Sequence, residues 1–162
     1  MLSNNYTNRL FGRTRGRSKK KIDLKKYYQS VSKYKFQNCD EQINYILDIG
    51  TGYGETSIFL ANQFLDKVII SCEKYIDGNI ILLKNIEKNN IKNILLHNGN
   101  VYDVLESTDR ECFDLVWIFF PDPWPKNRHA KRRLITSDFL KKLHNTLKEN
   151  SEIHIATDST IY

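Results

Sequence analysis

The chain predicts an α/β protein built on a doubly wound, mostly parallel sheet, and three observations carry that expectation. Short apolar runs alternate with longer stretches of helical period, the pattern of strands joined by crossover helices. A glycine cluster, Gly50-Thr51-Gly52-Tyr53-Gly54, directly follows the first apolar run. A proline-rich segment, Pro121-Asp122-Pro123-Trp124-Pro125, directly follows the fourth. In open α/β sheets, loops leaving the carboxyl ends of strands are where ligands bind.

Taken in order, residues 45–49 predict a first buried strand, and 55–64 a helix turning Ile58, Phe59 and Leu65 inward. Residues 68–72 predict the second strand. A helix over 77–89 follows, with Ile80, Leu83 and Ile86 at three-residue steps. Residues 94–97 are the third strand, 101–105 a short helix, and 114–120 the fourth strand. Ser137 is placed to cap a helix carrying Phe139, Leu140, Leu143 and Leu147, and 152–156 is the fifth strand. There is no internal repeat. The sequence runs only six residues past that strand, so the final strands of such a sheet are expected to be absent.

With 162 residues the chain suits one domain rather than two. A formal net charge of +6 favours an acidic partner, nucleic acid or a membrane surface, and no apolar run approaches the roughly 20 residues of a membrane span. Cys39, Cys72 and Cys112 are odd in number and widely spaced. They suggest neither a disulfide framework nor a metal site, and a cytoplasmic location fits. Residues 1–21 hold no acid, while seven cations lie between Arg9 and Lys21. Residues 1–25 are therefore expected to form a basic flexible arm and 26–162 the folded domain. An RNA-contacting arm, a solvated tail and a transit peptide all suit that composition; Gly12 and Gly16 weigh against the amphipathic helix of a transit peptide.

The glycine loop carries the cofactor signal. Its spacing is G-x-G-x-G, whereas the loop that cradles a dinucleotide's pyrophosphate is G-x-G-x-x-G. Asp48 immediately precedes it. A carboxylate there repels a diphosphate and suits a ligand bearing an ammonium group, as S-adenosylmethionine does. Glu73, nineteen residues after Gly54, ends the second strand, where an acid accepts hydrogen bonds from ribose hydroxyls. Asn100 follows the third strand, placed for its amide to meet an adenine ring.

The segment after the fourth strand is the most specific. Each proline fixes its own φ and biases the residue before it away from the helix, so Asp122 is held rigidly. Lys126, Arg128, His129, Lys131, Arg132 and Arg133 follow within eleven positions of it. These cations suit phosphates, Trp124 suits either base stacking or a wedge against the core, and Asp158 suits either a guanine edge or a local backbone cap.

Asp48-Ile-Gly-Thr-Gly-Tyr-Gly54, Glu73, residues 119–134 and Ala156-Thr157-Asp158 together resemble the bacterial tRNA (guanine-N7-)-methyltransferases, from about residue 9 onward. The resemblance implies a Rossmann-like class I S-adenosylmethionine-dependent fold, shortened at its C-terminus, acting on N7 of guanine 46 in the tRNA variable loop. It implies cofactor contacts at Asp48, Gly50, Gly52, Glu73, Asn100 and Asp122, with Asp122 catalytic. It gives Lys126, Arg128, Arg132 and Asp158 to the tRNA and leaves no metal site. Two departures stand out. The family usually has an acid at the position of Asn100, and its members continue beyond Asp158 into further substrate-contacting strands. An inactive remnant that binds RNA or cofactor without turnover is the alternative. A nicotinamide oxidoreductase is disfavoured by the glycine spacing and by Asp48.

Overall fold

The computed structural model describes Thr14 and residues 24–162. The expected basic arm lies outside the described residues, apart from Thr14 and the first turn of α1 (Leu24–Val31). That helix crosses the boundary expected at residue 25.

Five strands follow in one sheet: β1 (Asn44–Ile49), β2 (Lys67–Cys72), β3 (Ile94–His97), β4 (Phe113–Phe119) and β5 (Leu147–Ala156). Their spatial order is β3-β2-β1-β4-β5, and every neighbouring pair is parallel. The sheet is thus doubly wound, as the alternation of patterns requires. The crossover helices are α2 (Glu55–Gln63), α3 (Ile76–Asn89), α4 (Val101–Ser107) and α5 (Ser137–His144).

Strands covered on both faces are apolar on both, which is why β1 is buried from Tyr45 to Ile49 rather than on alternate residues, with Asp48 its one charged member. Ile46, Ile69, Ile94 and Leu96 pack with Leu60, Leu82 and Ile86 on the α1–α3 face. Leu47, Ile49 and Ile70 pack with Val104, Phe139 and Leu143 on the α4–α5 face. Phe139 is fully buried, and its loss to alanine would cost about 3–5 kcal/mol.

The structure corrects several expectations. The pattern over residues 139–147 does not stay helical: the Thr146 hydroxyl donates to the Leu143 carbonyl at 2.7 Å where the helix ends, and Leu147 opens β5 opposite Phe113. Thr136, not Ser137, caps α5, its hydroxyl oxygen accepting from the Phe139 N–H. Leu65 and Phe59 do not turn inward; Leu65 is exposed past the end of α2, and Phe59 lies half-open against Trp117.

Cys39 and Cys112 are joined in a disulfide, against the expectation of none. Their separation of 73 residues hides the pairing in sequence, but β1 and β4 are neighbours, and the segments leading into both arrive together. Cys72 is a buried free thiol, as a small apolar group would be. Among the described residues no helix is long and apolar enough to cross a membrane, and no cluster of potential metal ligands occurs.

Candidate active site

The winding reverses between β1 and β4, so the loops leaving these two strands diverge and open a cleft at their carboxyl ends. The glycine loop, Glu73 and Gly99 form one wall, and Phe119, Asp122, Trp124 and Arg132 the other.

The first wall is held by backbone amides. Gly50, Gly52 and Gly54 have φ of 76°, 56° and 84°, a region that a side chain disfavours by roughly 1–2 kcal/mol. The turn lets the Gly50 N–H reach the Cys72 carbonyl and the Gly52 N–H reach Glu73 Oε2, both at 2.9 Å. Glu73 Oε1 accepts from the Tyr75 N–H at 2.8 Å. The Glu73 carboxylate is therefore fixed by two amides, and each oxygen keeps lone-pair capacity for a ligand hydroxyl. A Cβ on Gly50 or Gly52 would meet no atom of the protein, so the loop leaves open space for a ligand.

Asp48 lies beneath that loop on β1. It is 2% exposed and accepts a 2.6 Å hydrogen bond from the Ser57 hydroxyl. Burial pushes its carboxyl up to about 7, opposed by the Ser57 bond and reinforced by the negative charge of Glu73. Its neighbours Ile49 and Gly50 reach the cleft; Asp48 itself is not on the wall. Asn100 caps α4: its Oδ1 accepts from the Tyr102 N–H at 3.0 Å, and its own N–H donates to Asp103. Gly99 and Val101, on either side, line the cleft.

The second wall is different. Phe120 and Trp124 both hold left-handed backbone, with φ of 49° and 43°, costly for aromatic residues. Asp122 sits between them, exposed at the cleft edge. The Arg132 guanidinium lies 5.0 Å from the centroid of the Trp124 ring, a cation–π contact. Lys126, at the N-cap of the short 3-10 segment Asn127–Arg132 that follows, and Arg128 within it are exposed, and Asp158 is exposed in the bend after β5. The structure thus gathers Gly50, Glu73, Asp122 and Arg132 around one cleft, and leaves Lys126, Arg128 and Asp158 off its walls. Arg133 does not face outward with the other cations: it donates into the loop, to the carbonyls of Pro123 and Trp124.

Sequence reasoning missed two residues that build the first wall. A Cβ on Gly78, in the first turn of α3, would overlap the Gly52 carbonyl oxygen. The buried Asn79 donates to the Glu73 carbonyl at 2.8 Å and to Asn98 Oδ1 at 3.1 Å, tying the ends of β2 and β3 together. Neither carries a local signal; both depend on α3 crossing above the loop.

Comparison with known proteins fits this architecture. Residues 42–162 match the family described as "Putative methyltransferase". A tRNA (guanine-N(7)-)-methyltransferase of Neorickettsia sennetsu is 36% identical over 157 residues, covering 95% of this chain and 70% of that protein. The enzyme of the same name from Wolbachia pipientis wMel is 38% identical over 82% of this chain and 63% of its own length. Against others, such as that of Zymomonas mobilis, the chain spans about half the relative's length. Among solved structures, the precorrin-6y C5,15-methyltransferase of Geobacter metallireducens superposes with a TM-score of 0.53 at 19% identity. The superposition covers 86% of this chain and 66% of that one, a likeness of fold.

Proposed function

The chain belongs to the tRNA (guanine-N(7)-)-methyltransferase family, and on that premise we propose that it methylates N7 of a guanine in tRNA, at position 46 of the variable loop, using S-adenosylmethionine. The observation that carries the reading is the meeting of Glu73 and Asp122 across one cleft, at the point where the sheet reverses its winding.

The residues present suit that cofactor. The open space over Gly50 and Gly52 admits a ligand against the backbone, and the doubly held Glu73 carboxylate offers acceptors for two ribose hydroxyls. Gly99 and Val101 offer a wall for a flat ring, with Asn100 beside them committed to its helix cap. Asp48, buried behind Gly50, contributes negative charge toward an ammonium group without touching solvent. Bound there, S-adenosylmethionine supplies an electrophilic methyl on a positively charged sulfur.

Guanine N7 already carries an in-plane lone pair, so the protein need not remove a proton from it. What it must do is align that nitrogen and hold a negative charge where positive charge develops on the purine. Asp122 is the group for that role, fixed between two prolines at the cleft edge. Trp124 and Arg132, stacked together beside it, offer a flat face and a cation to a base and its phosphate. Lys126 and Arg128, exposed nearby, extend the positive surface, and Asp158 offers acceptors to a guanine edge. The basic stretch before residue 24 extends the same charge in sequence.

The test is methyl transfer from labelled S-adenosylmethionine to unmodified tRNA, followed by nuclease digestion and nucleoside chromatography. Label in 7-methylguanosine is the expected outcome. Asp122→Ala is expected to lower the rate by about 10²–10³-fold with cofactor binding kept, by analogy with losing one preorganised electrostatic group. Cofactor binding without any transfer by the unaltered chain would favour the second reading, a binding protein that does not turn over.

A further inference from the structure

The loop that carries Asp122 cannot fasten itself. Pro121, Pro123 and Pro125 have no N–H, so three of five successive residues lack the donor that would close an ordinary turn. The left-handed backbone at Phe120 and Trp124 adds strain that the surroundings must hold in place. Yet three successive carbonyl oxygens here, of Asp122, Pro123 and Trp124, each accept a hydrogen bond from a side chain elsewhere. Tyr162 Oη donates to the Asp122 carbonyl at 2.7 Å. Arg133 Nε donates to the Pro123 carbonyl at 3.1 Å, and the same guanidinium reaches the Trp124 carbonyl at 3.3 Å.

We infer that Arg133 and Tyr162 are positioning residues, which fix the Asp122 carboxylate by clamping the three carbonyls around it. The inference rests on the methyl-transfer reading above and deepens it. Two neighbours in the basic run then differ in role, since Arg132 stacks on Trp124 at the cleft while Arg133 turns away to hold the loop. A guanidinium is suited to this work, because its rigid fork meets two carbonyls at once where an ammonium meets one. The clamp also explains how Tyr162, 40 residues along the chain, bears on the site: the turn after β5 brings its hydroxyl back to the Asp122 backbone.

The experiment compares Arg133→Ala, Arg133→Lys and Tyr162→Phe. Each is read by kcat and KM for tRNA, by cofactor affinity, and by acrylamide quenching of Trp124 emission in a Trp117→Phe background. Loss of a charge-assisted pair of bonds predicts a fall in kcat of about 30-fold for Arg133→Ala, and loss of one neutral bond a fall of about fivefold for Tyr162→Phe. Arg133→Lys, keeping one contact, is expected to fall between Arg133→Ala and the unaltered chain. In all three, KM and the salt dependence of tRNA binding stay within about twofold, and Trp124 becomes easier to quench as the loop loosens. Tyr162→Phe removes one oxygen and leaves the packing, so the proposal does not depend on Arg133→Ala folding. A raised KM and a shallower salt dependence, with kcat and quenching unchanged, would make Arg133 a phosphate contact and overturn the clamp. If the unaltered chain transfers no methyl group, the functional reading fails by itself. The quenching then decides alone, and unchanged quenching in both Arg133→Ala and Tyr162→Phe overturns the clamp.

Discussion

The two walls of the cleft are built by opposite means. On the glycine side the main polar groups are answered by partners close at hand: Glu73 by two backbone amides, the Gly50 N–H by the Cys72 carbonyl, Asp48 by the Ser57 hydroxyl of the adjacent helix. That wall is acidic, mostly buried and tightly packed. On the proline side the backbone has lost its donors, the aromatics stand in left-handed conformations, and the surface is cationic and open. Side chains from elsewhere hold it. The difference matches the two roles proposed for them. A small cofactor of constant shape is served by a rigid cradle, whereas a large polyanion needs exposed charge and one fixed group at the edge. Mutations should therefore fail differently on the two sides.

The largest effect is expected where packing is tightest. Gly78→Ala drives a methyl group into the Gly52 carbonyl, and overpacking of that kind costs about 1–3 kcal/mol. Thermal denaturation should show the loss of stability, and cofactor titration a weakened or absent site, because α3 and the glycine loop must part. Gly50→Ala is the sharpening control. Its Cβ meets no protein atom, so only the cost of a φ of 76° remains and the methyl enters the ligand's space. It should lose cofactor affinity with a smaller fall in melting temperature. Equal stability losses in the two variants would break the picture of a packed wall beneath an open cradle.

On the proline side the effects should fall on affinity and its salt dependence. Lys126→Ala and Arg128→Ala remove exposed cations that lie off the walls of the cleft. Each is expected to weaken tRNA binding several-fold at low salt and to flatten the plot of log affinity against log salt by about 0.7–0.9. Cofactor affinity and melting temperature should not move. Titration of labelled tRNA at several salt concentrations measures both slopes. An unchanged slope in both variants would remove these two residues from the RNA surface.

What was legible in the sequence follows the same division. The strands and the glycine turn are local features: an apolar run buried on both faces and a left-handed glycine leave their mark within a few residues. So does a proline-locked acid. Gly78, Asn79, Arg133 and Tyr162 were not legible, because each acts on a partner distant in sequence. Gly78 meets the Gly52 carbonyl only because α3 crosses above the loop, and Arg133 looks the same as Arg132 until the loop carbonyls are in place. Leu147 shows the limit of periodicity. Its spacing from Phe139, Leu140 and Leu143 suits a helix, but pairing opposite Phe113 on β4 recruits it into a strand. The Cys39–Cys112 pair was hidden for the same reason, since only the β1–β4 neighbourhood brings the two together.

A pH dependence should also set the buried wall apart. Asp48 titrates near 7 in the folded chain, against 3.8 for its ordinary value, so the folded state binds its proton more tightly than the unfolded state does. Between those two values the folded protein carries the extra proton, and stability from this group falls as pH rises, levelling off above 7. Asp48→Asn keeps the shape and the Ser57 contact but cannot ionise. It should be more stable than the unaltered chain at pH 8, with the difference shrinking towards acid. Urea unfolding of both proteins across the range from about pH 5 to 8 measures it, and the comparison cancels every other titrating group. The same charge should act on ligand binding in the opposite sense. The unaltered chain should gain affinity for S-adenosylmethionine as pH rises through 7, because an ionised Asp48 attracts the ligand's ammonium group, while the asparagine variant should stay flat. A stability difference that does not vary with pH would mean that Asp48 is charged throughout. The buried wall would then hold a permanent negative charge rather than one that appears near neutrality.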